Sequence, residues 1–177
     1  MILVALGSNL PGPAGSPRHM VEAALAALPG VGITVMRRSP WYLSAPVPPS
    51  AQPWFVNGVA EVGFSGEPPD LMARLHTVEA SLGRHRDGTV NAARTLDLDL
   101  LDMNGVTRAA DPVLPHPRLH QRAFVLLPLA DVAPAWRHPT TGRPVADLIA
   151  ALGSLDGIRR EPDQPPAVAV TRPSPES

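Results

Sequence analysis

The 177 residues predict an α+β sandwich, and three observations carry the prediction. Short apolar stretches have the length and alternation of strands. Two capped stretches carry an apolar stripe at helical spacing, and the segments arrive in the order strand, helix, strand, strand, helix, strand. Proline-rich loops separate several of them: there are 23 prolines, about 13% of the chain, against a usual level of about 5%. That order is the split β-α-β pattern of a ferredoxin-like β-α-β-β-α-β sandwich, one sheet with helices on one face, here with additional C-terminal helices.

Each element has its own justification. Ile2–Leu6 is a short apolar run that ends at Gly7-Ser8-Asn9, so it reads as a first strand. Ser16 can cap a helix with Pro17 at its first position, and Met20, Val21, Ala24, Leu25 and Leu28 form its stripe. Val31–Met36 reads as a second strand with Val31, Ile33 and Val35 on one face. Phe55–Phe64 is a longer third strand with a possible bend at Gly58 or Gly63. Pro68 and Pro69 open a second helix, whose stripe is Leu71, Leu75, Val78 and Leu82 and whose stop is Gly83. Thr95–Met103 is the fourth strand. Ala123–Val132 reads as helical despite Pro128, and Val145, Leu148, Ile149 and Leu152 mark a last short helix. Residues 1–153 are expected to form one domain. From Ser154 to Ser177 the chain is rich in Pro, Glu and Arg without sustained periodicity, the composition of a disordered tail.

Composition narrows the chemistry. Fifteen basic residues face sixteen acidic ones, for a net charge of −1. That balance removes the case for a general nucleic-acid binder or an electrostatic membrane binder. With no Cys, disulfides, thiolate metal sites and cysteine nucleophiles are excluded. All fifteen basic residues are Arg, so Schiff-base chemistry and a Lys-bearing phosphate loop are excluded as well. No signal segment or run of membrane-spanning length is visible, and a cytoplasmic protein is the default expectation.

The strongest chemical signal is Arg94-Thr95-Leu96-Asp97-Leu98-Asp99-Leu100-Leu101. In a strand, Asp97 and Asp99 share one face, roughly 6.6 Å apart at the backbone, while the leucines face the core. Two carboxylates so placed can converge on Mg²⁺, which takes one or two carboxylates and completes its shell with water and phosphate. A solvated strand face is the plain alternative for such a pair. Just upstream, Gly83-Arg84-His85-Arg86 leads to Arg94, so three arginines lie beside the carboxylates. Guanidinium groups grip phosphate oxygens in two-pronged fashion, although a cationic helix end would also carry them. Leu114-Pro115-His116-Pro117 sets a histidine on a stiff loop ahead of Arg122 and Phe124. These residues alone leave three readings open: a metal-dependent phosphotransferase, a phosphohydrolase using the same pair, or a non-catalytic RNA-binding sheet. Aromatic residues at 4% argue against the last.

Taken in order, the motifs resemble the 6-hydroxymethyl-7,8-dihydropterin pyrophosphokinase family of folate biosynthesis. They are L-G-S-N at 6–9, W-Y-L-S-A-P-V at 41–47, Q-P-W-F-V-N at 52–57, G-R-x-R at 83–86, R-T-L-D-L-D-L-L at 94–101, L-P-H-P at 114–117 and R-A-F at 122–124. The resemblance covers about residues 1–153. It implies Mg²⁺-dependent transfer of pyrophosphate from ATP to the pterin's hydroxymethyl group, with two Mg²⁺ ions held by Asp97 and Asp99. It further implies Arg84, Arg94, Asp97 and Asp99 as catalytic, and Glu79, Arg84, Arg86, Arg94, His116 and Arg122 as contacts to ATP. The pterin would stack between Phe55 and Phe124, its polar edge meeting Asn57, Asp97 and the stretch from Ser44 through Ala45 to Val47. ATP and the pterin are the expected partners, with no nucleic acid and no membrane, and a monomer is expected. The chain departs from the family pattern with Phe55 for Tyr, Ser44 for Thr, Asn91 for Trp, and Pro117 where an aromatic is common.

Overall fold

The computed structural model of the chain describes residues 1–83 and 96–162. Its centre is strand β1 (Ile2–Ser8), flanked by two antiparallel neighbours: β4 (Phe55–Gly63) on one side and β5 (Asp97–Met103) on the other. Helix α1 (Pro17–Ala27) starts where the sequence places it. His19 N–H donates to Ser16 Oγ at 3.3 Å, and Pro17 occupies the first turn. A 3₁₀ turn over Leu28–Val31 prolongs the helix, and Gly32 then adopts φ of +80°. Strand β2 (Thr34–Arg38) begins only after that turn. The expected start at Val31 is therefore corrected, because Leu28–Val31 is taken up by the 3₁₀ turn and Gly32 reverses the chain before it becomes extended.

A short strand, β3 (Tyr42–Ser44), lies where the sequence suggested only loop. It pairs with the Phe55–Asn57 end of β4, while β2 pairs with the other end, so the two together line one long edge. Room for the chain between them comes from Gly58, where any Cβ would fall 2.5 Å from the Trp41 ring. Helix α2 (Pro68–Ser81) follows, with Leu71, Leu75 and Val78 buried. Beyond β5 come α3 (Ala123–Val132), α4 (Val145–Ala150) and a last strand, β6 (Ile158–Arg160). β6 adds to the outer edge of β3 and gives the order β5-β1-β4-β3-β6. The stretch from Ser154 expected as tail thus contributes a strand. Three residues are too few to show periodicity, and their order comes from the edge they pair with. Residues 163–177 of that tail lie outside the described residues.

The sheet carries helices on both faces, which corrects the one-sided packing read from the sequence. On the first face, α1 and α2 cover Ile2, Val4, Leu6, Ala60, Leu96, Leu98 and Leu100. On the second, α3 and α4 cover Leu3, Val59 and Leu101, and Trp136 Nε1 donates to the buried Asp102 Oδ2 at 2.8 Å. A register shift in the β1–β5 ladder between Leu3 and Val4 leaves Leu101 as an extra residue on β5. Leu101 and Asp102 therefore both turn toward the second face. Because α3 begins only at Ala123 and packs toward Val59 and Leu3, it covers one half of that face. The other half is left open, and the site lies there.

Candidate active site

The floor of the open half is a row across three strands. Gly7 of β1 sits between Asp97 of β5 and Asn57 of β4, its register partners on either side. Alternation sends Asp97 and Asp99 onto this floor while Leu96, Leu98 and Leu100 go into the first core. Gly7 is required for a steric reason: a Cβ there would stand 2.8 Å from Asn57 Oδ1. Asn57, buried between strands, donates through Nδ2 to Ser44 Oγ at 2.5 Å, which fixes the polar edge of β3 against β4.

Above the floor is a cavity of about 500 Å³. One wall is the end of β3 and the stretch after it, with Ser44, Ala45, Val47 and Gln52; Phe55 stands at its foot. Asn9, at the end of β1, braces this wall by donating to Gln52 Oε1 at 3.1 Å and to the Pro53 carbonyl at 3.2 Å. The opposite wall is His116, Pro117 and Arg118, with Arg122 and Phe124 from the start of α3. A side recess of about 40 Å³ runs beneath Asp97, Asp99, His116 and Arg122 to Ala5 and Val125.

The electrostatics follow from this enclosure. Burial, then the neighbouring Asp97 and Glu79 carboxylates, push the Asp99 carboxyl up to about 7. An acid held that high beside a second carboxylate gains from a cation. On the opposite wall, burial and then the Arg122 guanidinium lower His116 to about 4, so its ring is neutral near pH 7. Arg118 N–H donates to His116 Nδ1 at 3.2 Å, which assigns the ring proton to Nε2. His116 N–H in turn donates to the Leu101 carbonyl at 2.8 Å, anchoring the loop on β5. Arg122 stacks its guanidinium 5.4 Å from the Phe124 ring centroid.

Of the residues singled out from the sequence, Ser44, Ala45, Val47, Phe55, Asn57, Asp97, Asp99, His116, Arg122 and Phe124 all line this one cavity. Glu79 does not: it is buried on α2, behind β5, and accepts the Leu98 N–H at 3.1 Å. Arg84, Arg86 and Arg94 lie outside the described residues. Sequence reasoning gave no role to Arg118 or Gly7. Arg118 follows the L-P-H-P motif directly, which was the available signal; the tightness at Gly7 needed the register with Asn57.

The donor set suits Mg²⁺. Among the described residues no cluster of three or more His, Cys, Asp or Glu could hold a metal on its own. Two carboxylates on one strand face beside an open cavity are what a hard cation uses when substrate phosphate and water complete its shell.

Comparison with known proteins agrees with this architecture. Residues 3–134 match the model of the 7,8-dihydro-6-hydroxymethylpterin-pyrophosphokinase (HPPK) family. A 2-amino-4-hydroxy-6-hydroxymethyldihydropteridine pyrophosphokinase of Pseudomonas aeruginosa is 43% identical over 91% of this chain and 96% of its own. The protein of the same name from Synechocystis is 37% identical over 95% of this chain and 91% of its own. Among solved structures, Plasmodium falciparum HPPK-DHPS superposes with a TM-score of 0.66 at 11% identity, over 90% of this chain and 47% of that one. At that identity the likeness speaks for the fold. The family match and the two close relatives carry the conclusion that this chain belongs to the 7,8-dihydro-6-hydroxymethylpterin-pyrophosphokinase family.

Proposed function

We propose that the cavity over Gly7 is where this pyrophosphokinase brings ATP, Mg²⁺ and its acceptor pterin together. The enzyme transfers pyrophosphate from ATP to 6-hydroxymethyl-7,8-dihydropterin, with AMP as the other product, in folate biosynthesis. One observation carries the assignment. The carboxylate pair, the neutral His116 with Arg122, and the Ser44–Asn57 edge with Phe55 open onto the same cavity. A hydrolase would have no need of the last of these.

In this reading the pterin ring enters between Phe55 and Phe124, where stacking rewards a flat heterocycle, and its polar edge meets Asn57 and the Ser44–Val47 wall. Asp97 and Asp99 would hold Mg²⁺, two ions in this proposal, and the bound metal would neutralise phosphate charge. His116 offers its Nε2–H to a phosphate oxygen as a neutral donor, and Arg122 offers a two-pronged cation. Arg84, Arg86 and Arg94 are assigned to phosphate on sequence grounds. The hydroxymethyl oxygen attacks the β-phosphorus in line with departing AMP. Positioning and charge complementarity supply most of the acceleration, since such transfers need little covalent help. A monomer is the proposed working unit.

The test is ATP turnover with and without the hydroxymethyl pterin. AMP formed only in its presence supports the reading, whereas orthophosphate released without it sinks the acceptor assignment.

A further inference from the structure

The acceptor wall is gripped from outside by the far end of the chain. Between β3 and β4, residues 45–54 form ten residues without regular structure, yet they supply Ala45, Val47 and Gln52 to the cavity. At the first of these residues, Ala45 N–H donates to the Gly157 carbonyl at 2.8 Å, and the preceding Ser44 lies opposite Ile158 in the β3–β6 ladder. At the last, the exposed Trp54 indole carries the Arg159 guanidinium 5.7 Å from its ring centroid. Both ends are thus met by one short segment, Gly157–Arg159. That segment is itself fixed at a distance from the cavity. Arg160 Nη2 donates to Asp131 Oδ1 of α3 at 2.7 Å, and Asp131 also accepts the Tyr42 hydroxyl. Glu161 N–H donates to the Trp41 carbonyl at 2.9 Å, and its carboxylate pairs with Arg18 at 3.0 Å. Strand alternation explains the division of labour: Arg159 and Arg160 leave β6 on opposite faces, one toward Trp54 and the other toward α3.

We propose that β6 is a clamp on the acceptor wall. Arg159 on Trp54 and the Gly157 carbonyl on Ala45 N–H hold the two ends of residues 45–54 in the shape that receives the pterin's polar edge. Trp54 and Arg159 are positioning residues, since neither lines the cavity. Without the clamp, part of the binding energy of the acceptor goes into ordering those ten residues, so affinity falls at the acceptor and not at the nucleotide. The inference rests on the reading that the acceptor enters beside Ser44–Val47 and Phe55.

The experiment measures 6-hydroxymethylpterin affinity by calorimetry in the presence of Mg²⁺ and a non-hydrolysable ATP analogue, with the analogue's own affinity and the thermal midpoint recorded for every variant. Arg159→Ala is expected to weaken pterin binding about two- to fivefold, the range of an exposed cation–ring contact. Analogue affinity should be unchanged, and the midpoint should hold within about 2 °C. Trp54→Ala should match it, the double variant should be no weaker than either single, and Arg159→Lys should keep most of the affinity. Unchanged pterin affinity in Arg159→Ala overturns the clamp, as do losses that add in the double variant or fall equally on the analogue. Phe55→Ala separates the two levels of the argument. If it weakens pterin binding while Arg159→Ala does not, the clamp alone is wrong; if Phe55→Ala has no effect, the acceptor assignment falls and takes the clamp with it.

Discussion

Asp97 and Asp99 sit on a strand whose other side is sealed by Leu96, Leu98 and Leu100, and the raised pKa of Asp99 follows from its burial there beside two other carboxylates. Turnover should fall by at least about 10³-fold in Asp97→Ala or Asp99→Ala, because metal-borne charge neutralisation is worth several kcal/mol. Circular dichroism should show the fold intact, since both side chains face a cavity. Near wild-type activity of either variant at limiting Mg²⁺ would remove the metal assignment. The raised Asp99 pKa has a second consequence. An unfolded aspartate releases its proton near pH 4, whereas the folded, metal-free chain keeps one up to about 7. Over that window the folded state holds the extra proton, so its stability falls as pH rises from about 4 and levels off above about 7. Thermal scans in chelator between pH 5 and 8 should show that decline, and Asp99→Asn should flatten it. His116 runs the opposite way. Held down to about 4 by burial and Arg122, its ring should show no titration between pH 5.5 and 8 by nitrogen NMR, and Arg122→Ala should raise its midpoint.

At the level of elements, β6 is where composition misleads. Read as sequence, Ile158-Arg159-Arg160 lies within a Pro-, Glu- and Arg-rich tail that begins at Ser154, and removing that tail should cost almost nothing. The structure instead gives it the edge of β3, the Arg160–Asp131 pair and the Ala45 N–H. Truncation after Gly153 is therefore expected to lose about 2–3 kcal/mol from backbone bonds and two surface ion pairs, Arg160–Asp131 and Glu161–Arg18, roughly 5–10 °C in thermal midpoint. Truncation after Pro162 should leave the midpoint unchanged, and equal midpoints for the two truncations would show that β6 contributes nothing. The glycine of β4 makes the same point from the other side. Gly58 looked like a bend, but its role is to admit the Trp41 ring. Gly58→Ala should cost about 1–3 kcal/mol in urea unfolding, as overpacking does.

Across the whole molecule, one sheet serves two purposes. Its first face is a closed core, and its second is shared between the α3–α4 cover and the cavity. Leu126, fully buried on α3, belongs to the cover, so Leu126→Ala should cost about 2–5 kcal/mol while the folded fraction still binds nucleotide. The local pattern was sufficient for the succession of the longer strands and helices along the chain, the capped helices, the Asp97–Asp99 face and the His116 and Arg122 loop, because caps, period-2 alternation and rigid prolines act over a few residues. Other features were decided only by tertiary structure. Helices on both faces, the β3 and β6 edge strands, the need for glycine at positions 7 and 58, the seat of Glu79 behind β5, and the acidity of Asp99 all depend on partners distant in the chain. A strand of three residues is ordered by the edge it joins, a glycine is required by the side chain that crosses it, and a carboxyl group's acidity is set by the burial and charges that folding assembles around it.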